Sequence, residues 1–426
     1  MSVMSTISRR LWVHAVVVAA VFWSPTPAVA QTAAAAGQAT TPAPLEAGFH
    51  DGFFVQTADG STRLVFGMVA QTDGRFFVDD PDAPISTFTI RKARPTLSGT
   101  ITKYFDFNVM PDFGNGTAVL ENAYFDIRFS PKFRVRSGKD KAPIGYEMLI
   151  GDAYVLFLER SLANSLVPNR EVGIQVQGDL ASNRFSYSAG VFNGIPDGSS
   201  STTDLDTNNA KDLEGRIIVS PFQSTQSPDR ALNGLGFHLG GSTGRQAGAL
   251  PTFRTSAQQA YFSYATAVEA SGTRTRVTPA VFYYYKAFGG YGEYVRSAQP
   301  VTLNGVETHV VNQAWEVTAS YLLTGEHASA GIVRPRNDFD PANGHWGALQ
   351  LIARYATLTV DGDVFLAGLA SAGSSREAKS IAIGADWYPT AYIKLYGTFE
   401  RTLFEGATGA GRPAEHAILF RTQLAF

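Results

Sequence analysis

Hydrophobic and polar residues alternate along most of the chain from residue 53 onward. Between Asn122 and Phe129, polar residues and a tyrosine alternate with alanine, phenylalanine and isoleucine. The last segment has the same pattern, with Phe420 and Phe426 on one face and Arg421 on the other. A period of two residues predicts β-strands that each have one apolar and one polar face.

Such segments recur along the chain, and each ends in a turn signal. We count sixteen of them: 63–77, 86–101, 103–113, 119–130, 132–142, 170–180, 183–193, 211–221, 233–243, 274–287, 290–298, 313–324, 346–360, 377–388, 391–404 and 415–426. Residues 258–267 resemble a seventeenth. We assign them to a loop, because membrane β-barrels of bacteria have an even number of strands.

The connections between the segments differ at the two ends. Those after even-numbered segments are mostly short, whereas several after odd-numbered segments are long: 143–169, 194–210, 244–273 and 361–376. The connection 325–345 is an exception, because it is long on the short side. Short periplasmic turns and long outer loops are typical of outer-membrane barrels. The sequence therefore predicts an all-β fold, a 16-stranded antiparallel transmembrane β-barrel over 49–426, closed by a strand that ends in Phe426.

The first thirty residues have the features of a secretory signal. Arg9 and Arg10 precede an apolar run over 11–23, and small residues at 28–30 form a cleavage site. The run is shorter than the roughly 20 residues that span a bilayer as a helix. An uncleaved anchor is the alternative. We expect a signal peptide at 1–30, a flexible Ala/Thr/Pro lead-in at 31–48, and export to the outer membrane of a Gram-negative bacterium.

Composition and motifs exclude several classes of function. The chain has no cysteine, so it has no disulfide, thiolate metal site or cysteine nucleophile. Its net charge of −2, or −4 without Arg9 and Arg10, argues against nucleic acid as a partner. We find no nucleophile elbow, zinc motif or phosphate-binding glycine loop. Residues 204–208 resemble the start of a calcium loop but lack its later glycine and glutamate. We therefore expect no enzyme, no cofactor and no metal.

Several short motifs follow one another in a fixed order. Residues 88–94 read FTIRKAR, and 138–143 read GKDKAP, followed by Glu147. The later motifs are FLERS at 157–161, REVG at 170–173, GVFNG at 190–194, YLLTGE at 321–326, ARY at 353–355 and DWY at 386–388. In order and spacing they resemble the phosphate-selective porins O and P, whose first two motifs are F-x-L-R-R-A-R and G-K-x-K-x-P.

This resemblance implies a sixteen-stranded barrel, usually a homotrimer in outer-membrane lipid, which passes phosphate or polyphosphate. It also implies that the loop after the fifth strand, here 143–169, folds inward as a constriction. Two positions depart from the family pattern. Lys92 replaces an arginine and so lacks the planar bidentate fork, and Gln350 stands where a glutamate is common. We therefore expect a preference for anions rather than strict phosphate selectivity.

An anion pathway needs positive charge and hydrogen-bond donors in a narrow lumen. The candidates are Arg91, Lys92, Arg94, Lys139, Lys141, Arg160, Arg170 and Arg354. Strict alternation places Arg91 opposite Lys92 and Arg94, so all three can face inward only if a β-bulge intervenes. Without a bulge, we expect Lys92 and Arg94 to face the lumen. For Arg354, a structural ion pair with a neighbouring strand is an alternative to pore lining.

Three functions are compatible with these observations. The leading hypothesis is an outer-membrane porin that passes small anions by passive diffusion through a basic constriction. A barrel without transport activity, with a structural or adhesive role, is the first alternative. An outer-membrane hydrolase is the second.

Overall fold

The computed structural model describes residues 44–78, 84–200, 208–224, 230–406 and 412–426. The expected signal peptide, the lead-in up to residue 43 and residues 204–207 of the calcium-like motif lie outside these ranges. The last residues of the expected lead-in, Leu45 to Gly48, are paired in a strand. Among the described residues, no helix has the length and apolar character needed to cross a membrane.

The described chain contains twenty strands and two short α-helices. An N-terminal hairpin consists of β1 (Leu45–Phe49) and β2 (Phe53–Thr57). The next strands are β3 (Arg63–Phe77), β4 (Thr87–Ile101), β5 (Phe105–Asp112), β6 (Val119–Ser130), β7 (Phe133–Lys141), β8 (Arg170–Leu180), β9 (Phe185–Phe192), β10 (Asp212–Val219) and β11 (Leu235–Gly248). A separate hairpin consists of β12 (Thr252–Arg254) and β13 (Ala260–Ser263). The remaining strands are β14 (Glu269–Tyr285), β15 (Phe288–Leu303), β16 (Val306–Leu322), β17 (Ala348–Thr359), β18 (Glu377–Thr390), β19 (Ile393–Glu405) and β20 (Glu415–Ala425). The helices are α1 (Tyr146–Leu149) and α2 (Gly362–Leu366).

Sixteen of these strands close into one antiparallel barrel. From β3 to β11 each strand pairs with the next, β11 pairs with β14, and the series continues to β20. The barrel closes where β20 pairs with β3. Past the end of β20, Phe426 and Met68 exchange backbone hydrogen bonds. Closure leaves no unpaired edge among these strands, which is a requirement for a sheet in lipid. The predicted sixteen-stranded barrel is confirmed.

Alternation along each strand sorts side chains between the outer surface and the interior. On β20, Ile418 and Phe420 are exposed on the outer face, with relative exposures of 47% and 39%. Arg421 and Gln423 point inward and are buried. An outer apolar face suits contact with lipid, whereas inward polar groups meet water or one another. The period-two pattern in the sequence thus corresponds to the two sides of the barrel wall.

Two connections between barrel strands test the segment bounds predicted from the sequence. Residues 258–267 are outside the barrel, as predicted, because β13 forms its own hairpin with β12. The expected break between 298 and 313 is wrong. Strands β15 and β16 continue through this region and meet at a two-residue turn, where Asn304 and Gly305 both have positive φ. Asn-Gly favours such a hairpin turn because both residues tolerate left-handed backbone.

The interior is partly filled by segments from the long-loop end. Residues 142–169, which connect β7 and β8, form the inward loop; this loop contains α1 and a 3₁₀ helix at Leu162–Leu166. Leu162 and Leu166 belong to a buried apolar cluster with the β12–β13 hairpin, the segment around α2 and the inner wall of β15–β17. This cluster occupies one side of the lumen. A polar space remains on the side of β4, β6 and β8.

Candidate functional site

The inward loop is anchored on the wall of the barrel by buried carboxylates. Glu293 on β15 accepts hydrogen bonds from the backbone N–H groups of Tyr146 (2.7 Å) and Glu147 (3.1 Å). The Glu147 side chain is fully buried and accepts from the Ser161 N–H (2.8 Å) and the Tyr291 hydroxyl (3.0 Å). One end of the loop is therefore fixed both to the wall and to its own second half.

A second set of contacts fixes the middle of the loop against β19 and β20. Lys394 donates to the carbonyl of Val155 (3.0 Å), and Arg421 donates to the carbonyl of Leu158 (2.6 Å). Both acceptors are backbone oxygens, so these cations position the main chain of the loop whatever its side chains are. The loop thus crosses the barrel interior with support from several walls.

On β4, three basic residues face the same interior space because of a β-bulge. The pairing of β3 with β4 shifts register between Gln71 and Thr72, which leaves Arg91 as an extra residue on β4. Arg91, Lys92 and Arg94 all line one cavity. The arrangement expected without a bulge, with Arg91 on the opposite face, is wrong. A bulge is invisible to strict alternation because it changes the phase of the strand locally.

The cavity has a volume of about 310 Å³ and a strongly charged lining. Its charged residues are Arg91, Lys92, Arg94, Arg160, Arg170, Arg254, Glu121, Asp152, Glu159 and Asp197. These are six cations and four carboxylates, which leaves two formal positive charges. Five of the eight predicted pore residues therefore line one cavity, although they come from β4, the inward loop and β8. These five are Arg91, Lys92, Arg94, Arg160 and Arg170.

Asp152, on the inward loop, lies at the centre of this cluster. Its Oδ1 accepts from Arg160 Nη2 (2.7 Å) and is 3.5 Å from Lys141 Nζ. Its Oδ2 accepts from Arg170 Nη2 (2.9 Å) and from Arg94, and lies 3.7 Å from Lys92 Nζ. Burial would raise the pKa of this carboxyl, but the surrounding cations lower the pKa well below its usual range. Asp152 is therefore ionised.

Glu159, also on the inward loop, is held by a second group of arginines. Arg91 donates to both of its oxygens (2.5 and 3.0 Å), and Arg75 donates to Oε1 (3.0 Å). Burial opposes ionisation, but Arg91, Arg421 and Arg75 lower the pKa of Glu159 far below its ordinary value. The bidentate arginine pair is the strong geometry for a carboxylate. Much of the positive charge at this cavity is thus balanced internally.

The other predicted pore residues lie outside the cavity. Lys141 donates to the carbonyls of Met148 (2.8 Å) and Ile150 (2.7 Å), so it supports the inward loop. Arg354 is buried behind the loop and donates to the carbonyl of Glu159 (2.9 Å). Lys139 is buried in the wall on β7, between β6 and β8.

Sequence reasoning missed one basic residue and all the acidic partners. Arg254, on β12, lines the cavity and donates to the carbonyl of Gln258 (3.1 Å); no ion pair to it occurs within the described ranges. The carboxylates of Glu121, Asp152 and Glu159 were not predicted. The inward loop has no strand periodicity, so nothing in its sequence indicates which side chains meet the β4 arginines.

A separate acidic group lies at the long-loop end of the wall. Carboxylate oxygens of Glu171, Asp212 and Glu214 lie within 4.8 Å of one another. Arg274 is 3.1 Å from Asp212, and Arg276 is 3.8 Å from Glu214. Two buried guanidinium groups therefore already balance part of the charge that a metal ion would neutralise.

The barrel resembles porins of known structure. Coverage is 87% of this chain and 99% of the outer-membrane channel DcaP of Acinetobacter baumannii, with 11% identity and a TM-score of 0.56. For an anion-selective porin from Comamonas acidovorans, coverage is 86% of this chain and 100% of that porin, with 11% identity and a TM-score of 0.53. For OmpT of Vibrio cholerae, coverage is 86% of this chain and 98% of OmpT, with 11% identity and a TM-score of 0.52. At these identities the likeness shows the fold alone. No curated protein matches the chain significantly.

The sequence itself gives the family assignment. The family described as phosphate-selective porin O and P matches residues 71–426, which includes every barrel strand except the first part of β3. Porins are diffusion channels of the Gram-negative outer membrane and not enzymes, so the predicted location and the absence of catalysis are confirmed. The chain is an outer-membrane β-barrel that belongs to the phosphate-selective porin O and P family.

Proposed function

We propose that this protein passes small anions, phosphate among them, by passive diffusion, and that the basic cavity is the narrow part of the pathway. The observation that carries the proposal is the cavity lining, in which six cations outnumber four carboxylates beside a loop that fills much of the lumen. An excess of positive charge in a confined space concentrates anions and repels cations. Arginine and lysine donors also replace part of the water that a permeating anion loses.

Phosphate fits this lining chemically. Arginine binds phosphate oxygens in the same bidentate manner as carboxylates, and Arg91, Arg94 and Arg170 contact the cavity carboxylates Glu159, Glu121 and Asp152. A longer polyphosphate would place successive groups along the same cations. Lys92 offers a point charge in place of a fork, which supports a general preference for anions over strict selection of phosphate.

The solute preference can be tested by adding phosphate to a chloride bath during bilayer recordings of the purified protein. We expect phosphate to reduce the chloride current in a concentration-dependent manner, because both anions use the same basic cavity. A chloride current that stays constant would show a general anion pore without a phosphate site. A barrel without transport activity would show no conductance in either bath.

We also propose that three copies assemble in the outer membrane. The support is family membership and the fold shared with OmpT of Vibrio cholerae, one form of which is described as a trimer. Each closed barrel would keep its own pathway. One inserted trimer should therefore conduct through three equal pores, with the ion selectivity of a single barrel. Mass determination of the detergent-solubilised protein by light scattering tests this, and a monomeric mass would contradict it.

A further inference from the structure

Asp152 has more cationic partners than any single structural role requires. Five cations approach its two oxygens: Lys92, Arg94, Lys141, Arg160 and Arg170. They come from β4, β7, β8 and the inward loop itself. The Asp152 side chain is 8% exposed and borders the cavity. A small carboxylate surrounded by convergent lysine and arginine donors is the arrangement expected for a bound oxyanion.

The inward loop is held near Asp152 by contacts to its main chain as well as by this carboxylate. Lys141 and Arg160 both donate to the backbone carbonyl of Ile150 (2.7 and 2.8 Å), and Gln423 donates to the carbonyl of Ala153 (2.9 Å). These contacts fix the main chain on both sides of Asp152. The carboxylate is therefore not the sole support of the loop here and can also serve another purpose.

Several of the cations have Asp152 as their acidic partner. For Lys92 and Arg160, no other carboxylate lies within ion-pair distance among the residues that the structure describes. Without Asp152, these two cations would line the cavity with no carboxylate partner, although Arg160 would keep the backbone carbonyls of Glu147 and Ile150. Arg94 and Arg170 would keep Glu121 (2.8 and 3.1 Å).

We propose that Asp152 is a specificity-determining residue: its carboxylate is a tethered competitor that occupies the strongest oxyanion-binding position of the pore. This inference rests on the proposed function. A solute oxyanion shares the cations with Asp152 instead of binding them alone, so it is held weakly and leaves quickly. Flux through a pore requires binding that is favourable enough for entry but weak enough for exit. Asp152 thereby keeps the site permeable.

The test compares Asp152→Asn with wild type and with Glu121→Gln. The asparagine keeps the size of the side chain and removes its charge. Glu121 lines the same cavity and contacts two of the same arginines, so Glu121→Gln makes the same change in net charge. We expect inorganic phosphate to block the chloride current of Asp152→Asn at a concentration about tenfold lower than in wild type, the effect of one charge-assisted hydrogen bond. Glu121→Gln also removes one negative charge from the cavity and should lower the blocking concentration by a smaller factor than Asp152→Asn, because Asp152 still occupies the site between the cations.

Calorimetric titration of the detergent-solubilised proteins with inorganic phosphate gives a second measure that does not require conduction. The affinity of Asp152→Asn should rise by the same factor, provided that heat-modifiable migration on electrophoresis shows a folded barrel. An unchanged affinity of Asp152→Asn, or an equal rise in Glu121→Gln, would overturn the inference. Wild-type cation preference would instead overturn the proposed function, whereas wild-type anion preference with an unchanged Asp152→Asn variant would overturn this inference alone.

Discussion

Arg421 on the last strand forms a two-point ion pair with Asp73 on the first strand of the barrel. Nε donates to Oδ1 at 2.6 Å and Nη2 donates to Oδ2 at 2.9 Å, and the two residues are direct partners in the β20–β3 register. The remaining amino group of Arg421 donates to the carbonyl of Leu158 on the inward loop. One guanidinium group therefore connects barrel closure with the position of the loop.

Loss of this pair should destabilise the barrel. In Arg421→Met, Asp73 keeps Arg75 at 3.1 Å but loses its bidentate partner. We expect a loss of about 3 kcal/mol in the free energy of unfolding, at the low end for breaking a buried pair. Urea unfolding in detergent measures this. The double variant Arg421→Met/Asp73→Leu is the control and should recover much of the loss; equal stability of Arg421→Met and wild type would contradict the role of the pair.

The buried Glu147 should control how firmly the inward loop is held. Glu147→Ala removes the acceptor for the Ser161 N–H and the Tyr291 hydroxyl. Since unpaired buried donors each cost about 1–3 kcal/mol, the loop should loosen. We expect larger and noisier single-channel currents. Tyr291→Phe removes one of these donors and should have a smaller effect, and a conductance trace of Glu147→Ala identical to wild type would count against the loop as the narrow point.

Substitution of Arg254, which lines the cavity, should change ion selectivity. Arg254 faces the cavity without an ion pair in the described parts of the chain, so Arg254→Glu should lower the anion-to-cation permeability ratio by about a factor of two or more. Its thermal stability should not change. Arg245→Glu is the matched control, because Arg245 lies on the exposed face of β11 outside the cavity. A ratio that responds equally to both variants would show that total charge, not cavity charge, sets selectivity.

Substitution of Lys141 should instead change stability and leave ion selectivity unchanged. Its amino group donates to the carbonyls of Met148 and Ile150. Lys141→Met should lower the unfolding temperature, since the Met148 carbonyl loses its donor and the Ile150 carbonyl keeps only Arg160. Differential scanning calorimetry measures this shift. A stable Lys141→Met variant with altered selectivity would instead place Lys141 in the pathway.

The contribution of Asp152 to stability should depend on pH only in acid. Its pKa is lower in the folded protein than in the unfolded chain, so the stabilisation is complete above the unfolded pKa of about 3.9 and is lost as pH falls through the folded pKa. The difference in unfolding free energy between wild type and Asp152→Asn should stay constant from pH 7 to pH 5 and shrink below about pH 4. A difference that already shrinks between pH 7 and pH 5 would contradict a lowered pKa.

The barrel could be predicted from the sequence because alternation is a local signal that survives in every strand. All sixteen predicted segments correspond to barrel strands, and the β3 segment has the same bounds in both. Predictions from this alternation were wrong at one tight turn, where the chain reverses direction, and at one β-bulge, where the inward and outward positions of the strand exchange. The Asn304–Gly305 turn was overlooked, although Asn-Gly between alternating runs is a strong hairpin signal. At Arg91, the bulge inverted the expected face.

The charge of the site could be predicted only in part. The sequence indicates the cations on β4 and β8, because strand parity and the family motifs mark them. It does not indicate that Asp152 and Glu159 neutralise them, since these contacts join an irregular loop to β8 and to β4, and β4 lies about 60 residues away in the sequence. Nor does it separate Arg254, which lines the cavity, from Arg354, which supports the loop. Tertiary packing decides both.

The reversal potential of the purified wild-type protein in a planar bilayer under a KCl gradient tests the central claim most directly. The excess of cations at the cavity predicts a potential of the sign that shows chloride to be more permeant than potassium. A potential of the opposite sign, or a protein that inserts as a folded barrel and gives no conductance, would contradict the account of an anion pathway.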